Sequence, residues 1–330
     1  SFEQEKQALQ LAELVLQCSL VDTSSADKLA ESIAKLHEFE FHCFHNMRGR
    51  GNSKLDYGLL FFLAFNNARS RLNMLLLKEK KIKSHVTVIV PMWGEQNRMQ
   101  SKETHKAGED FLRRKVNQLD WLYRDMDAEL MDWNLMFVDD GCPHGSGKEA
   151  LKMMDGDKDF FTDSIRGKIS VEFLEEGLQK IDKFKNDANL NNVNDSRKGG
   201  AVQYGMYLAL NRKMDAADKQ HFVMYTDADL STNISQTGLL LADITMNNES
   251  QQRQVVIGDR YEKGIFSHGY VMGTFKTNEV ALKLRSIFRG HLMPPFKKLY
   301  DTQTGFKIFT KQCIERVLPE LKEYTGMFDM

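Results

Sequence analysis

The spacing of apolar residues changes near residue 84, and this change divides the chain into two predicted parts. Before it, apolar positions recur at helical intervals and turn residues are scarce, which predicts an all-helical module over residues 1–83. After it, short β-rich runs alternate with helical segments. This alternation predicts an α/β domain over residues 84–330, built on a mostly parallel sheet with helices on both faces.

Five short apolar runs in the second part are predicted strands. They lie at residues 86–91, 134–141, 169–174, 221–226 and 254–258. The segment 175–195 shows no apolar periodicity, and we predict a polar loop there. Several of the strands end in charged residues. In an open α/β sheet such residues meet at the carboxyl edge, where these folds bind their ligands.

The charge and cysteine content exclude several classes of partner and site. The chain has 45 Lys and Arg against 46 Asp and Glu, a formal charge of -1, so we expect no nucleic-acid partner. Its four cysteines form no paired metal-ligand motif, which is typical of free thiols in a reducing compartment. The longest apolar stretch, residues 57–65, is too short to span a bilayer. We expect a soluble cytoplasmic protein, with peripheral membrane association as the alternative.

The strand at residues 221–226 ends in Asp227-Ala228-Asp229, which is a candidate metal site. Side chains two residues apart on a strand point the same way, so the two carboxylates can converge on one point. Carboxylate oxygens suit Mg²⁺ or Mn²⁺, whose remaining ligands would be water and phosphate oxygens. The other interpretation is a polar turn in which one Asp caps the following helix.

Three further strand or helix ends carry residues that suit a nucleotide. Asp139 and Asp140 follow the second strand and can accept hydrogen bonds from a base or a ribose. Lys198-Gly199-Gly200 opens a helix, where glycines permit close approach of a ligand and the helix N-terminus favours an anion. Arg260 follows the fifth strand and can clamp a phosphate. The alternative for Asp139 and Asp140 is a turn, and that for the glycine segment is an ordinary loop. The alternative for Arg260 is a surface salt bridge.

Together these elements predict a site for a nucleotide diphosphate. No phosphate-binding loop of the nucleotide-hydrolase type is present, and no dinucleotide fingerprint follows the first strand. These absences argue against NTP hydrolysis and against NAD chemistry.

Five motifs, in this order along the chain, resemble those of a known family. They are Val86-Thr87-Val88-Ile89-Val90-Pro91 with Glu95, Phe137-Val138-Asp139-Asp140-Gly141, Lys198-Gly199-Gly200-Ala201, Tyr225-Thr226-Asp227-Ala228-Asp229-Leu230-Ser231, and Asp301-Thr302-Gln303-Thr304-Gly305-Phe306-Lys307. The order resembles that of family 2 glycosyltransferases with the GT-A fold, most nearly the branch that includes dolichyl-phosphate glucosyl- and mannosyltransferases. The resemblance covers about residues 85 to 330 and does not extend to the N-terminal helices.

The resemblance implies a role for each motif. Asp227 and Asp229 would bridge Mn²⁺ or Mg²⁺ to the diphosphate of a nucleotide-sugar. The residues that it assigns to donor binding are Pro91, Glu95, Asp139, Asp140, Lys198, Gly199, Gly200, Asp227, Ala228, Gln303 and Arg285. It also implies three catalytic residues: Asp329 as the base for a hydroxyl acceptor, Asp301 on the sugar and acceptor side, and Arg260 near the leaving diphosphate.

Two loops depart from the family pattern. Met92-Trp93-Gly94 stands where an aromatic residue and Asn are usual, and Cys142-Pro143-His144 stands where a Ser is usual. Both loops would border the nucleoside, so the departures bear on which base is bound.

The predicted activity is transfer of a hexose, of the glucose or mannose class, from a UDP- or GDP-hexose. Inversion at the anomeric carbon is the family default, and retention, which related GT-A folds carry out, is the alternative. The acceptor stays open among a polyprenyl phosphate, a glycan, a small molecule and a protein. The alternatives are a sugar nucleotidyltransferase and a non-catalytic partner-binding protein with a decayed transferase domain. The N-terminal helices could bind a protein or a membrane surface.

Overall fold

A computed structural model describes residues 57–212, 218–246, 253–258 and 304–324. Most of the predicted helical module, residues 1–56, lies outside these ranges. The described part is an α/β structure with one six-stranded sheet flanked by helices. Its strands are β1 (Ser84–Met92), β2 (Met131–Asp139), β3 (Ile169–Phe173), β4 (Gln220–Thr226), β5 (Val255–Ile257) and β6 (Phe306–Thr310).

The strand order is β3-β2-β1-β4-β6-β5. β1 pairs in parallel with β2 and β4, β2 pairs in parallel with β3, and β4 pairs antiparallel with β6. The prediction of a mostly parallel α/β sheet is therefore confirmed. The sheet runs mainly parallel because helices connect its successive strands and return the chain to the same edge.

Ten helices are described in these ranges. They are α1 (Tyr57–Glu79), α2 (Gln96–Met99), α3 (Phe111–Tyr123), α4 (Ser146–Gly156), α5 (Asp163–Arg166), α6 (Leu174–Lys180), α7 (Asp182–Lys185), α8 (Gly199–Asn211), α9 (Thr237–Met246) and α10 (Lys311–Val317). Three short 3₁₀ turns lie at Val193–Asp195, Ile234–Gln236 and Leu318–Glu320. Within the described ranges, no helix combines the length and the apolar character that crossing a bilayer requires.

The polar loop predicted over residues 175–195 is wrong, because this segment contains α6, α7 and a 3₁₀ turn. A few apolar residues anchor these short helices, and Leu174, Phe184 and Leu190 are fully buried. The Phe184 ring packs edge-on against Tyr204 of α8, with ring centroids 5.8 Å apart. Helices this short contain too few turns to produce a visible apolar period, so the pattern along the chain did not predict them.

Contacts divide the chain into two compact units. One comprises residues 70–256 and 305–330, and the other comprises residues 1–69 and 257–304. In the first unit, the part of α1 that begins at Ser70 lies against Gly238 at the start of α9, and Met74 and Leu77 are fully buried. The Ser70 hydroxyl donates to the carbonyl of Ser235 at 2.5 Å. The division falls inside α1, whereas the apolar spacing predicts a boundary at residue 83.

Strand β1 lies at the centre of the sheet, and all nine of its residues are buried. Both faces of this strand are covered, which explains a nearly continuous apolar run rather than an alternating one. The exceptions are polar residues near its start, including His85 and Thr87. They form a buried network with side chains of the two neighbouring strands.

This network is a directed chain of hydrogen bonds across three strands. The Asn134 side-chain carbonyl accepts from the Thr87 hydroxyl at 2.7 Å and lies 2.7 Å from His85 Nε2. Since a carbonyl oxygen can only accept, His85 Nε2 carries the proton. The single hydroxyl hydrogen of Thr87 is donated in the hydrogen bond to Asn134. The Thr87 oxygen is therefore the acceptor for His221 Nε2, which donates to it at 2.8 Å. Both imidazoles are neutral in this arrangement, and burial lowers the pKa of each, that of His221 to about 3.

We predict that the network makes the fold sensitive to mild acid. Unfolded His221 takes up a proton below about pH 6.5, whereas the folded form resists protonation down to about pH 3, so stability falls as the pH drops through this window. His221→Gln keeps a hydrogen-bonding side chain but does not titrate. Between pH 7 and 4.5 the wild type should lose on the order of 2 kcal/mol more unfolding free energy than the variant in urea denaturation. Equal losses in both proteins would contradict this assignment.

Candidate functional site

The carboxyl ends of β1, β2 and β4 surround a cleft, which we call the edge cleft. It encloses about 210 Å³. Its lining residues are Pro91, Met92, Trp93, Glu95, Arg98, Asp140, Lys198, Asp227, Ala228 and Asp229. All of these except Met92, Trp93 and Arg98 were predicted site residues. The structure thus brings together residues from four of the motifs along the chain.

Asp227 follows the last residue of β4 and presents its carboxylate to the edge cleft. Its Oδ1 lies 2.6 Å from the ammonium of Lys198. The same ammonium lies over the ring of Tyr225, 5.8 Å from the centroid. The Asp227 side chain is about one-third exposed, so the ion pair faces solvent and the carboxylate is accessible to a ligand.

Gly305 supports the other side of the Asp227 carboxylate. The antiparallel register pairs Thr226 with Phe306, which sets Asp227 opposite Gly305. A Cβ built on Gly305 would lie within 2.7 Å of Asp227 Cγ and of both its oxygens. A side chain at this position would therefore displace the carboxylate, and only glycine allows it to lie against the backbone of the neighbouring strand.

Asp229 is held by its own turn. Its Oδ1 accepts from the Ser231 amide at 3.1 Å and from the Ser231 hydroxyl at 2.5 Å. The amide of Leu230 donates to the carboxylate of Glu109 at 3.0 Å. These bonds fix the segment that carries Asp229, so that its carboxylate lines the same cleft as that of Asp227.

The two carboxylates are a suitable donor set for a hard divalent cation. Mg²⁺ and Mn²⁺ prefer oxygen ligands, and Mg²⁺ is commonly bound through one or two carboxylates with water and phosphate completing its shell. Across the described residues, no group of three or more His, Cys, Asp or Glu side chains is placed to hold a metal alone. Asp227 and Asp229 could supply two of the oxygen ligands of such a cation.

Asp140 is a buried carboxylate that organises the start of α8. It accepts from the Ser196 hydroxyl at 2.5 Å, the Lys198 amide at 2.5 Å and the Ala201 amide at 3.2 Å. Burial raises the pKa of Asp140 to about 6, although these hydrogen bonds oppose the shift. The carboxylate thus satisfies helix N-terminal donors while lining the edge cleft.

Lys198 has a strained backbone conformation. Its φ is 81° and its ψ is -46°, close to a γ-turn geometry that residues with a side chain rarely adopt. The hydrogen bond from the Lys198 backbone amide to Asp140 stabilises this conformation. The conformation allows the Lys198 side chain to reach Asp227 from the helix start. Strain of this kind is typical of residues positioned for function.

Asp139 has a different place from its neighbour. Its carboxylate accepts from the amides of Cys142 at 2.8 Å and Gly147 at 2.5 Å, and it is almost fully buried. It does not belong to the cleft lining. Its hydrogen bonds stabilise the loop between β2 and α4.

Gly199 and Gly200 also lie outside the cleft lining. A Cβ at Gly199 would overlap the backbone of Glu323 and Tyr324, and a Cβ at Gly200 would overlap the Ser196 side chain. Both glycines therefore permit close packing between segments of this chain. The prediction that they allow close approach of a ligand has no counterpart in these contacts.

The segment after β1 contributes two cleft residues that were not predicted site residues, Arg98 in α2 and Trp93, although the loop that contains Trp93 was expected to border the nucleoside. Arg98 lies 3.0 Å from a Glu95 oxygen and 3.6 Å from Glu109, which orients its guanidinium beside the cleft. Burial raises the pKa of Glu95, and the charge of Arg98 opposes that shift. Trp93 is 58% exposed and stands on the cleft wall. The three-residue spacing of Glu95 and Arg98 was the available signal for the first of these residues.

Five predicted site residues lie outside the described part of the chain. They are Arg260, Arg285, Asp301, Gln303 and Asp329. Their roles stay predictions based on the family resemblance.

Comparison with known proteins adds no assignment. The chain matches no family model, no curated protein and no solved structure. Its function is therefore inferred from the edge cleft together with the sequence motifs.

We predict that Gly305→Ala weakens divalent-cation binding at the edge cleft by at least about tenfold, because the new methyl group displaces the Asp227 carboxylate. Binding can be measured from the loss of the free Mn²⁺ signal in electron paramagnetic resonance. Gly156→Ala is the matched control, since a Cβ there meets no atom within 4 Å. If Gly305→Ala folds and binds Mn²⁺ as the control does, Gly305 does not position Asp227.

Proposed function

We propose that this chain is a metal-dependent glycosyltransferase that transfers a glucose- or mannose-class hexose from a nucleotide-diphosphate sugar. The observation that carries the proposal is one cleft that presents Asp227 and Asp229 together with Lys198 and Arg98. Carboxylates suit a divalent cation, and the two basic side chains suit phosphate oxygens. This combination, at the carboxyl edge of a mostly parallel sheet, fits a cation–diphosphate complex.

The GT-A fold and the relation to family 2 glycosyltransferases belong to this proposal. Their support is the ordered motifs in the sequence and the convergence of four of them on the edge cleft. Inversion at the anomeric carbon is the outcome expected for that family. The structure by itself establishes only the coarser class, a mostly parallel α/β sheet with flanking helices.

The residues have separable roles in the proposed reaction. Asp227 and Asp229 would hold Mn²⁺ or Mg²⁺, which as a Lewis acid stabilises negative charge on the leaving diphosphate. The Lys198 ammonium forms an ion pair with Asp227, and a rotation of the Lys198 side chain would let it pair with a diphosphate oxygen instead. Glu95 and Glu109 orient Arg98 for the same anion. Preorganised charges of this kind favour the departure of the diphosphate because they need little rearrangement as charge develops.

Trp93 is the candidate contact for the nucleoside. A cleft of about 210 Å³ suits a cation and a diphosphate better than a whole nucleotide-sugar, so the remainder of the donor would extend past the rim. The exposed indole of Trp93 lies on that rim and offers a flat apolar surface to a base. Pro91 and Glu95 lie beside it. This arrangement supports the assignment of the first loop to the nucleoside.

The acceptor side rests on the resemblance alone. Asp329 would serve as the base for a hydroxyl acceptor, Asp301 and Gln303 would face the sugar, and Arg260 and Arg285 would lie near the diphosphate. A phosphate acceptor, such as a polyprenyl phosphate, is already nucleophilic and would need no base. A glycan, a small molecule or a protein hydroxyl would need one.

Product analysis with the full chain separates the proposed activity from its alternatives. Incubation with UDP- and GDP-hexoses and Mn²⁺ should release a nucleoside diphosphate. Formation of pyrophosphate from a nucleoside triphosphate and a sugar phosphate would instead support a sugar nucleotidyltransferase. Absence of any nucleotide binding, measured as a thermal shift with and without Mn²⁺, would favour a partner-binding protein.

Asp227→Ala and Asp229→Ala should each abolish the Mn²⁺-dependent thermal stabilisation by a nucleotide-sugar, because each removes one of two carboxylate ligands. Asp155→Ala is the matched control, since this carboxylate is 72% exposed and pairs with Arg166 outside the cleft. Metal-dependent stabilisation that persists in both cleft variants would remove the basis of the proposed site.

Trp93→Ala should weaken binding of the preferred nucleotide-sugar by about tenfold, because stacking on an aromatic ring contributes roughly 1–3 kcal/mol per base. Binding of inorganic pyrophosphate should change little, since it has no base. The comparison variant is Leu151→Ala, which removes an exposed apolar side chain on α4. Calorimetric titration of both ligands provides the measurement. An equal loss for both ligands would contradict a role in base stacking.

A further inference from the structure

Lys115 is a buried lysine that has no role in the proposed reaction as described above. It lies in α3, and three of the four side chains next to it on that helix face, Phe111, Leu112 and Leu119, are fully buried apolar groups. Lys115 itself has 0% exposure. Its ammonium has no hydrogen-bond partner among the described residues. A buried charge without a partner destabilises a fold, so its presence at an apolar position of the helix points to another use.

The face of α3 that carries Lys115 is bonded to the segment after Asp229. Gln118 lies three residues further along the helix, hence on the same face, and its side-chain carbonyl accepts from the Ile234 amide at 3.0 Å. Before the helix, Glu109 accepts from the Leu230 amide at 3.0 Å. These two bonds lie on either side of Lys115 in the sequence and hold this part of α3 against the segment that follows Asp229.

The charges that act on Lys115 are three carboxylates of the edge cleft and that of Glu109. Asp229 has the largest electrostatic effect on it, followed by Asp227, Glu109 and Glu95. Burial lowers the pKa of Lys115 to about 8, and these four carboxylates oppose the shift. These carboxylates favour the charged form of the ammonium, against the effect of burial. The ammonium contributes a positive potential from the protein interior, in addition to Lys198 and Arg98 on the cleft surface.

We propose that Lys115 is a fixed internal countercharge that makes the edge cleft prefer a cation–diphosphate complex over a free divalent cation. This inference rests on the proposed function. The buried ammonium repels a cation bound at Asp227 and Asp229 and attracts the diphosphate that accompanies it. A cation alone is therefore held weakly, and the cation and the anion assist each other's binding.

The test uses Lys115→Met in the full chain, because Met has a similar length, is apolar and suits the buried site. Two ligands are titrated separately at pH 7: Mn²⁺, followed by electron paramagnetic resonance, and inorganic pyrophosphate with EDTA present, followed by calorimetry. The variant should bind Mn²⁺ about tenfold tighter and pyrophosphate about tenfold more weakly than the wild type. The unfolding temperature should stay the same or rise, because an unpaired buried charge has been removed.

Lys152→Met is the matched control, since this lysine is exposed on α4 and pairs only with Glu149 at 3.7 Å among the described residues. If Lys115→Met lowers the unfolding temperature, Lys115→Gln is titrated in the same way to separate loss of charge from loss of packing. Affinities equal to those of the control, or shifted in the same direction for both ligands, would overturn the inference.

The same titrations distinguish this inference from the proposed function. Opposite shifts without hexose transfer from any nucleotide-sugar would uphold the role of Lys115 and contradict glycosyltransferase activity. If the wild type binds neither Mn²⁺ nor pyrophosphate, both the inference and the proposed site are overturned.

Discussion

The geometry of the edge cleft depends on the hydrogen bonds that the buried carboxylate of Asp140 accepts. This carboxylate joins the end of β2 to the start of α8 by accepting from Ser196, the Lys198 amide and the Ala201 amide. By holding the Lys198 amide, it stabilises a backbone conformation that a residue with a side chain would otherwise avoid. That conformation brings the Lys198 ammonium onto Asp227. A residue expected to contact the nucleotide thus also builds the site from within.

The charges of the cleft are arranged in layers. Asp227 and Asp229 lie at the surface with Lys198 and Arg98 between or beside them. Lys115 is fully buried beside apolar side chains of α3, where a charge is screened less by water and acts over a longer distance. Opposite charges held this close can bind a ligand that itself contains both signs. A diphosphate bound to a divalent cation is such a ligand, whereas a free ion of either sign meets a group that repels it.

Local pattern predicted the sheet and the chemistry at its edge. Short apolar runs that end in carboxylates predict strands because side-chain burial within a strand depends on near neighbours in sequence. Parallel strands then place their ends at one edge, which is why Asp140 and Asp227 could be grouped from the sequence, with Lys198 added from a helix start. Pro91 and Glu95 joined this group only through the family resemblance. The helices α6 and α7 were missed, because their few apolar anchors pack against α8 and form no period of their own.

The sequence by itself determined a mostly parallel α/β sheet and a set of carboxylates and basic residues at its edge, since both depend on short-range patterns. Only the tertiary structure decided how each of these residues is used. It assigned Asp139, Gly199 and Gly200 to internal packing, placed Gly305 against Asp227 through an antiparallel pair, and buried Lys115 behind the cleft. These outcomes depend on contacts between residues far apart in the chain, where burial and register set the partner of each charge, and no local pattern encodes them.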